Sequence, residues 1–131
     1  MTFGRWVIVA LIAVVVVGTA YWVASKPTTA GYGTLTAEEL QARIGAGAKM
    51  VIVDLREPDL YRAGHIPGAK NIPFEEFNNR TSELSPDDET VLVCHMGQMG
   101  DVSGTLLAQL GYPRVWNLAR GMAGWSGGLA K

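Results

Sequence analysis

The chain has 131 residues, a formal net charge of -1 and one cysteine. Near-neutral charge removes the electrostatic case for nucleic acid. A lone cysteine excludes an internal disulfide and a zinc site built on cysteine pairs.

From Trp6 to Ala24 the sequence carries no charge, and nine Val, Ile and Leu residues fall between Val7 and Val17. This length approaches the ~20 residues of a membrane-spanning helix. Trp6 at one end and Tyr21 and Trp22 at the other suit interfacial anchoring. The rival reading is a cleaved signal peptide with Gly18-Thr19-Ala20 at its small-residue end, although the run exceeds the ~7–15 residues of a signal core. Residues 1–25 are therefore expected to be a single-pass anchor or signal, with 6–24 in the membrane. Arg5 and Lys26 flank the run and nearly cancel the orientation signal. The short N-terminal tail favours a domain outside the cytoplasm; signal cleavage would instead give a secreted protein. Residues 26–33, rich in Pro, Thr and Gly, read as a linker.

Residues 34–131, roughly 100 residues, suffice for one domain with a single core. Thr36-Ala-Glu-Glu39 fits a capping box, opening a helix to about Ile44 with Leu40 and Ile44 on one face. Gly45 and Gly47 end it. Met50 to Leu55 is a nearly continuous apolar run, suited to a strand buried on both faces. Glu57 to Ala63 reads as a short helix with Pro58 in its first turn. A turn-rich link from His65 to Ala69 leads to a short strand at Lys70 to Ile72. Pro73 then opens a helix over Phe74 to about Leu84. Thr90 to Cys94 is the second buried strand. Asp101 to Leu110 is a helix, with Val102, Leu106 and Leu110 at i, i+4 and i+8 and Gly111 past its end. Val115 to Leu118 is a last strand, and Met122 to Trp125 a last short helix. Alternating strands and helices predict an α/β fold with a parallel sheet, whose sites form at the carboxyl ends of strands. Cys94 falls at such an end.

Cys94 runs into His95-Met96-Gly97-Gln98-Met99-Gly100 and then a helix. A strand–loop–helix unit of this kind turns backbone N–H groups toward negative charge, and a thiolate is negative charge. A free thiol has a pKa of ~8.5, which such surroundings lower. Gly97 and Gly100 permit the turn. Cys94, His95, Met96 and Met99 are also soft ligands of the kind copper takes, but a cradle loop points its side chains outward, so no metal or other cofactor is expected. Asp54, Arg56, Glu57 and His65 flank a buried strand end. Buried charges need partners, so Asp54 or Glu57 is expected to pair with Arg56 or His65 and brace the loop.

Three stretches resemble a single-domain rhodanese. The first is Val53-Asp54-Leu55-Arg56-Glu57-Pro58 with Tyr61, Gly64-His65-Ile66-Pro67-Gly68-Ala69 and Asn71-Ile72-Pro73. The second is the Cys94 unit. The third is Val115-Trp116-Asn117-Leu118 with Gly121, Met122 and Trp125. The resemblance implies a five-stranded parallel sheet flanked by helices. It also implies sulfurtransferase chemistry, in which Cys94 accepts a sulfane sulfur as a persulfide and passes it to a thiol, a protein thiol or cyanide. The loop residues His95, Met96, Gly97, Gln98, Met99 and Gly100 would then face the substrate, with Asp54, Arg56 and His65 in support. The Cys94–Met99 loop has the sulfurtransferase length; related phosphatases carry one residue more.

The sequence departs from the family pattern, in which an arginine often follows the cysteine or stands late in the loop and a Ser or Thr ends it; it holds His95, Gln98, Met99 and Gly100 instead. The missing cation argues against dianionic thiosulfate as the preferred donor. Arg120 replaces the first glycine of the closing pair and either turns toward the loop or lies in solvent. A non-catalytic binding module and a protein persulfide relay stay open beside the enzyme.

Overall fold

The structure, a computed structural model, describes residues 32–131. The proposed span over 6–24, and the linker up to residue 31, lie outside the described residues. Among the described residues no helix is long and apolar enough to cross a membrane.

The strands are β1 (Gly33–Leu35), β2 (Val51–Asp54), β3 (Lys70–Asn71), β4 (Thr90–Val93) and β5 (Val115–Leu118). The helices are α1 (Ala37–Gly45), α2 (Pro58–Ala63), α3 (Phe74–Arg80) and α4 (Gln98–Gln109), with 3-10 turns at Thr81–Glu83 and Gly121–Gly124. All strand pairings are parallel, and the order across the sheet is β1-β5-β4-β2-β3.

The central strands are mostly apolar because both faces are covered. In β4, Val91 and Val93 pack with Leu35, Leu40 and Ile66 on one face. Leu92 and the following Cys94 pack with Phe77 and Leu107 on the other. Burying each such aliphatic side chain contributes about 1.5–3 kcal/mol. The expected capping box starts α1: Thr36 Oγ1 accepts the Glu39 N–H at 3.2 Å, and Glu39 Oε2 accepts the Thr36 N–H at 2.8 Å.

Two elements, β1 and α4, differ from the sequence reading. Gly33, assigned to the linker, is the first residue of β1, and a Cβ there would lie 2.4 Å from the Trp116 ring. Helix α4 begins at Gln98 rather than Asp101, so Gln98, Met99 and Gly100 form its first turn. Its buried face is Gly100, Ser103, Gly104 and Leu107, whereas Val102 and Leu110 are 60% and 53% exposed. The glycines explain the rotation: Tyr32 sits where a Gly104 Cβ would be, 2.7 Å from its ring, and Asn117 crowds Gly100 in the same way. Close approach across small residues outweighs the wider apolar stripe.

Candidate active site

Strand β4 delivers Cys94 to the carboxyl edge of the sheet, where it is buried, with 1% of its surface exposed. Gly97 caps α4 from the left-handed region at φ 115°. That conformation turns its N–H back toward the cysteine, and it donates to Cys94 Sγ at 3.0 Å. The Asp101 N–H makes the first intrahelical bond, to Gly97 O at 3.0 Å. The N–H groups of Gln98, Met99 and Gly100 therefore precede any intrahelical acceptor, as at every helix start. They add to the positive end of the helix dipole beside the sulfur.

The loop's carbonyls are held on the other side. Cys94 O accepts from the Met122 N–H at 2.8 Å and His95 O from the Ala123 N–H at 3.0 Å. The Gly121–Gly124 turn thus fixes which way the loop peptides face. Gly121 takes φ 52°, and a Cβ there would lie 2.3 Å from Cys94 O. Its neighbour Arg120 is exposed and is the one non-glycine residue with positive φ, 59°, among the described residues.

Asn117, on β5, braces the loop from below. Its Nδ2 donates to Gly97 O at 2.9 Å and to Asp101 Oδ1 at 2.8 Å. Asp101 also accepts from the Tyr32 hydroxyl at 3.0 Å, so its charge is engaged by neutral donors. A Cβ on Gly100 would lie 1.9 Å from Asn117 Oδ1, which accounts for glycine where the family pattern has a hydroxyl residue. The sequence reading named Asn117 within the closing stretch but gave it no role at the site; an amide inside an otherwise apolar strand was the available signal.

The remaining expected residues separate. His95 Nε2 meets Glu57 Oε2 at 3.0 Å. A carboxylate only accepts, so that nitrogen carries the proton. Hydrogen bonds from its own backbone N–H and from His95 hold the Glu57 carboxyl below the usual carboxylate range. Met96 is 64% exposed and Gln98 is exposed, while Met99 is half-buried against the core cluster that contains Cys94. Asp54 and Arg56 form a buried fork: Arg56 Nη2 donates to Asp54 Oδ2 at 2.7 Å and Nε to Oδ1 at 3.0 Å. Arg56 Nη2 also ties down Gly64 O at 2.8 Å. Glu57 and His65 take no part in that pair. His65 Nδ1 sits 2.8 Å from Tyr61 O and its ring stacks on Tyr61 at 3.8 Å, so the ring is committed there and not to Cys94.

This arrangement, a cysteine sulfur at the mouth of a strand–loop–helix in a five-stranded parallel sheet, accompanies a match to the rhodanese-like domain model over residues 36–127. The chain belongs to the rhodanese-like domain family. It is 30% identical over 93 residues to YrkF of Bacillus subtilis, whose name gives it as a sulfur carrier, covering 71% of this chain and 50% of that protein. The chain thus spans about half the length of that relative. It is 32% identical over 92 residues to a sulfurtransferase of Allochromatium vinosum, covering 70% of this chain and 86% of that one. Among solved structures, the Alr3790 protein of Anabaena superposes with a TM-score of 0.68 at 27% identity, covering 73% of this chain and 81% of that one. Several relatives that the chain resembles are named as sulfurtransferases.

Proposed function

We propose that the chain is a rhodanese-like sulfurtransferase that carries sulfane sulfur on Cys94. The observation that carries this reading is the Gly97 N–H aimed at Cys94 Sγ from the start of α4. The Cys94 thiolate attacks the outer sulfur of a donor, the donor's S–S bond breaks, and its remainder leaves with the electron pair. The resulting persulfide, Sγ–S⁻, is an anion at the same helix start. An acceptor thiolate, or cyanide, then attacks the outer sulfur and returns Cys94 to the thiolate. Oriented N–H donors at a developing charge are worth about 10²–10³ in rate each. In this reading His95, Met96 and Gln98 meet the donor from the solvent side, with Met99 packed in the apolar cluster that holds Cys94.

The loop offers no arginine, so persulfides are favoured over thiosulfate as donors. The apolar run over 6–24 supports tethering at a membrane; the intact mass of the mature chain distinguishes this from signal cleavage.

Intact mass after incubation with a persulfide donor tests the chemistry. Addition of one sulfur atom, reversed by cyanide and absent in Cys94→Ser, is expected. A folded chain that never loads Cys94 overturns the enzyme in favour of a binding module.

A further inference from the structure

Beside the cysteine loop lies a groove of about 200 Å³, whose lining includes Leu55, Phe74 and Met99 with Glu57, Glu75 and Glu76. It is smaller than the ~300–1,000 Å³ of ordinary cofactor pockets and suits a single long side chain. Its floor belongs to the reactive centre's own packing: Leu55 shares an apolar cluster with Cys94, and Phe74 and Met99 pack against it. The Leu55 N–H donates to Val93 O at 2.7 Å, one residue before Cys94, and Leu55 O accepts the Phe74 N–H at 2.9 Å.

The charged residues that line this groove are all carboxylates. Glu57, Glu75 and Glu76 stand on its walls. Glu57 faces His95, and Glu76 shares Arg80 with Glu83. The nearby Arg56 is turned inward onto Asp54, and Lys70 onto Glu83. An apolar floor under a carboxylate rim complements an amphipathic cation, which buries an aliphatic stem and leaves its charge at the edge.

We infer that this groove receives a lysine or arginine side chain flanking the sulfur-exchanging cysteine of a partner protein. The assignment rests on the persulfide chemistry proposed above and names its acceptor. In the exchange, the partner's thiolate attacks the outer sulfur of the Cys94 persulfide, the Sγ–S bond breaks, and Cys94 leaves as thiolate. The partner emerges as the persulfide. Seating the flanking cation beside Met99 brings the partner cysteine to the loop. An acidic neighbour is repelled by the same rim, and charge juxtaposition of this kind sets partner choice.

The test uses the full chain loaded with one sulfur on Cys94. Three short cysteine peptides, identical except for Lys, Gln or Glu beside the cysteine, discharge it, with cyanide as a groove-independent acceptor. We expect the Lys peptide to exceed the Glu peptide by about tenfold at low salt, with a smaller ratio at high salt. In Glu75→Gln/Glu76→Gln that ratio falls toward one while cyanide discharge is unchanged. Equal discharge by all three peptides, or a ratio that survives the double substitution, overturns the inference. A chain that takes up no sulfur defeats the sulfurtransferase reading separately. The Lys peptide with serine in place of cysteine then decides the groove, since its binding shifts Phe74 and Met99 resonances or fails to.

Discussion

Gly100 shows how one residue's chemistry is set by its neighbour. A side chain there would begin 1.9 Å from Asn117 Oδ1, and Asn117 is fixed by its bonds to Gly97 O and Asp101. Restoring the family's hydroxyl with Gly100→Ser is therefore expected to destabilise the domain by about 1–3 kcal/mol through overpacking. In an Asn117→Ala background the same change meets no amide. The double-mutant cycle should then show a coupling of about 0.5–3 kcal/mol in urea unfolding; additive effects would mean that the two residues do not share this space. The Asp54–Arg56 fork makes a second residue-scale case. Both side chains are buried, so Arg56→Met leaves a carboxylate in the core with one backbone N–H, from residue 56, for company. A loss of about 3–5 kcal/mol is expected, as for breaking a buried pair from one side. The midpoint in urea should fall with an unchanged slope. The placement of Cys94 at the end of a buried strand was legible in the sequence because it follows an apolar run. That Asp54 or Glu57 would pair with Arg56 or His65 was legible because buried charges need partners; the choice of Asp54 with Arg56 came from the structure. The His95–Glu57 contact was not, because a loop and a turn 38 residues apart meet only after the sheet forms.

Elements were legible where period and punctuation agreed. The strands β2 and β4 are long apolar runs, and α1 carries both halves of its capping box. Strand β1 was missed because three residues, Gly33 to Leu35, are too few for an alternation to register. The face of α4 was misassigned because glycine carries no hydropathic weight, yet Gly100, Ser103, Gly104 and Leu107 follow helical spacing and set the closest approach. Helix α3 and β3 are linked by charge through Glu83. Glu83 pairs with Arg80 on α3 and with Lys70 on β3 at 2.7 Å. Hydrogen bonds from Arg80 first, then Lys70, lower its carboxyl from 4.5 to about 2. A lowered folded-state pKa contributes stability that is present above the unfolded value and fades as pH falls through the folded one. The stability difference between the native chain and Glu83→Gln is thus expected to be fully present above about pH 4.5 and gone near pH 2. Urea midpoints across that window check it, and a difference independent of pH would remove the ionic contribution.

At the scale of the whole molecule, the parallel sheet decides where chemistry is placed. Every strand ends on the same edge, so Asp54, Cys94 and Leu118 arrive together although they lie far apart in the chain. Strand β1 completes that edge. It pairs with β5 through Gly33, Thr34 and Leu35, and Leu35 O accepts the Ala119 N–H at 2.7 Å, just before the turn that holds the cysteine loop's carbonyls. Tyr32, one residue earlier, lies against Gly104 of α4 and bonds Asp101. A chain beginning at Tyr32 and one beginning at Thr36 should therefore behave differently. The longer one retains β1, while the shorter one loses a buried leucine, worth about 1.5–3 kcal/mol, and leaves β5 as an open edge. Open edges recruit other chains. The shorter chain is expected to melt lower, to associate with rising concentration in sedimentation experiments, and to load sulfur on Cys94 more slowly because the Ala119–Gly121 segment is no longer anchored. Equal melting temperatures would mean that β5 and the closing turn hold the cysteine loop without the strand beside them.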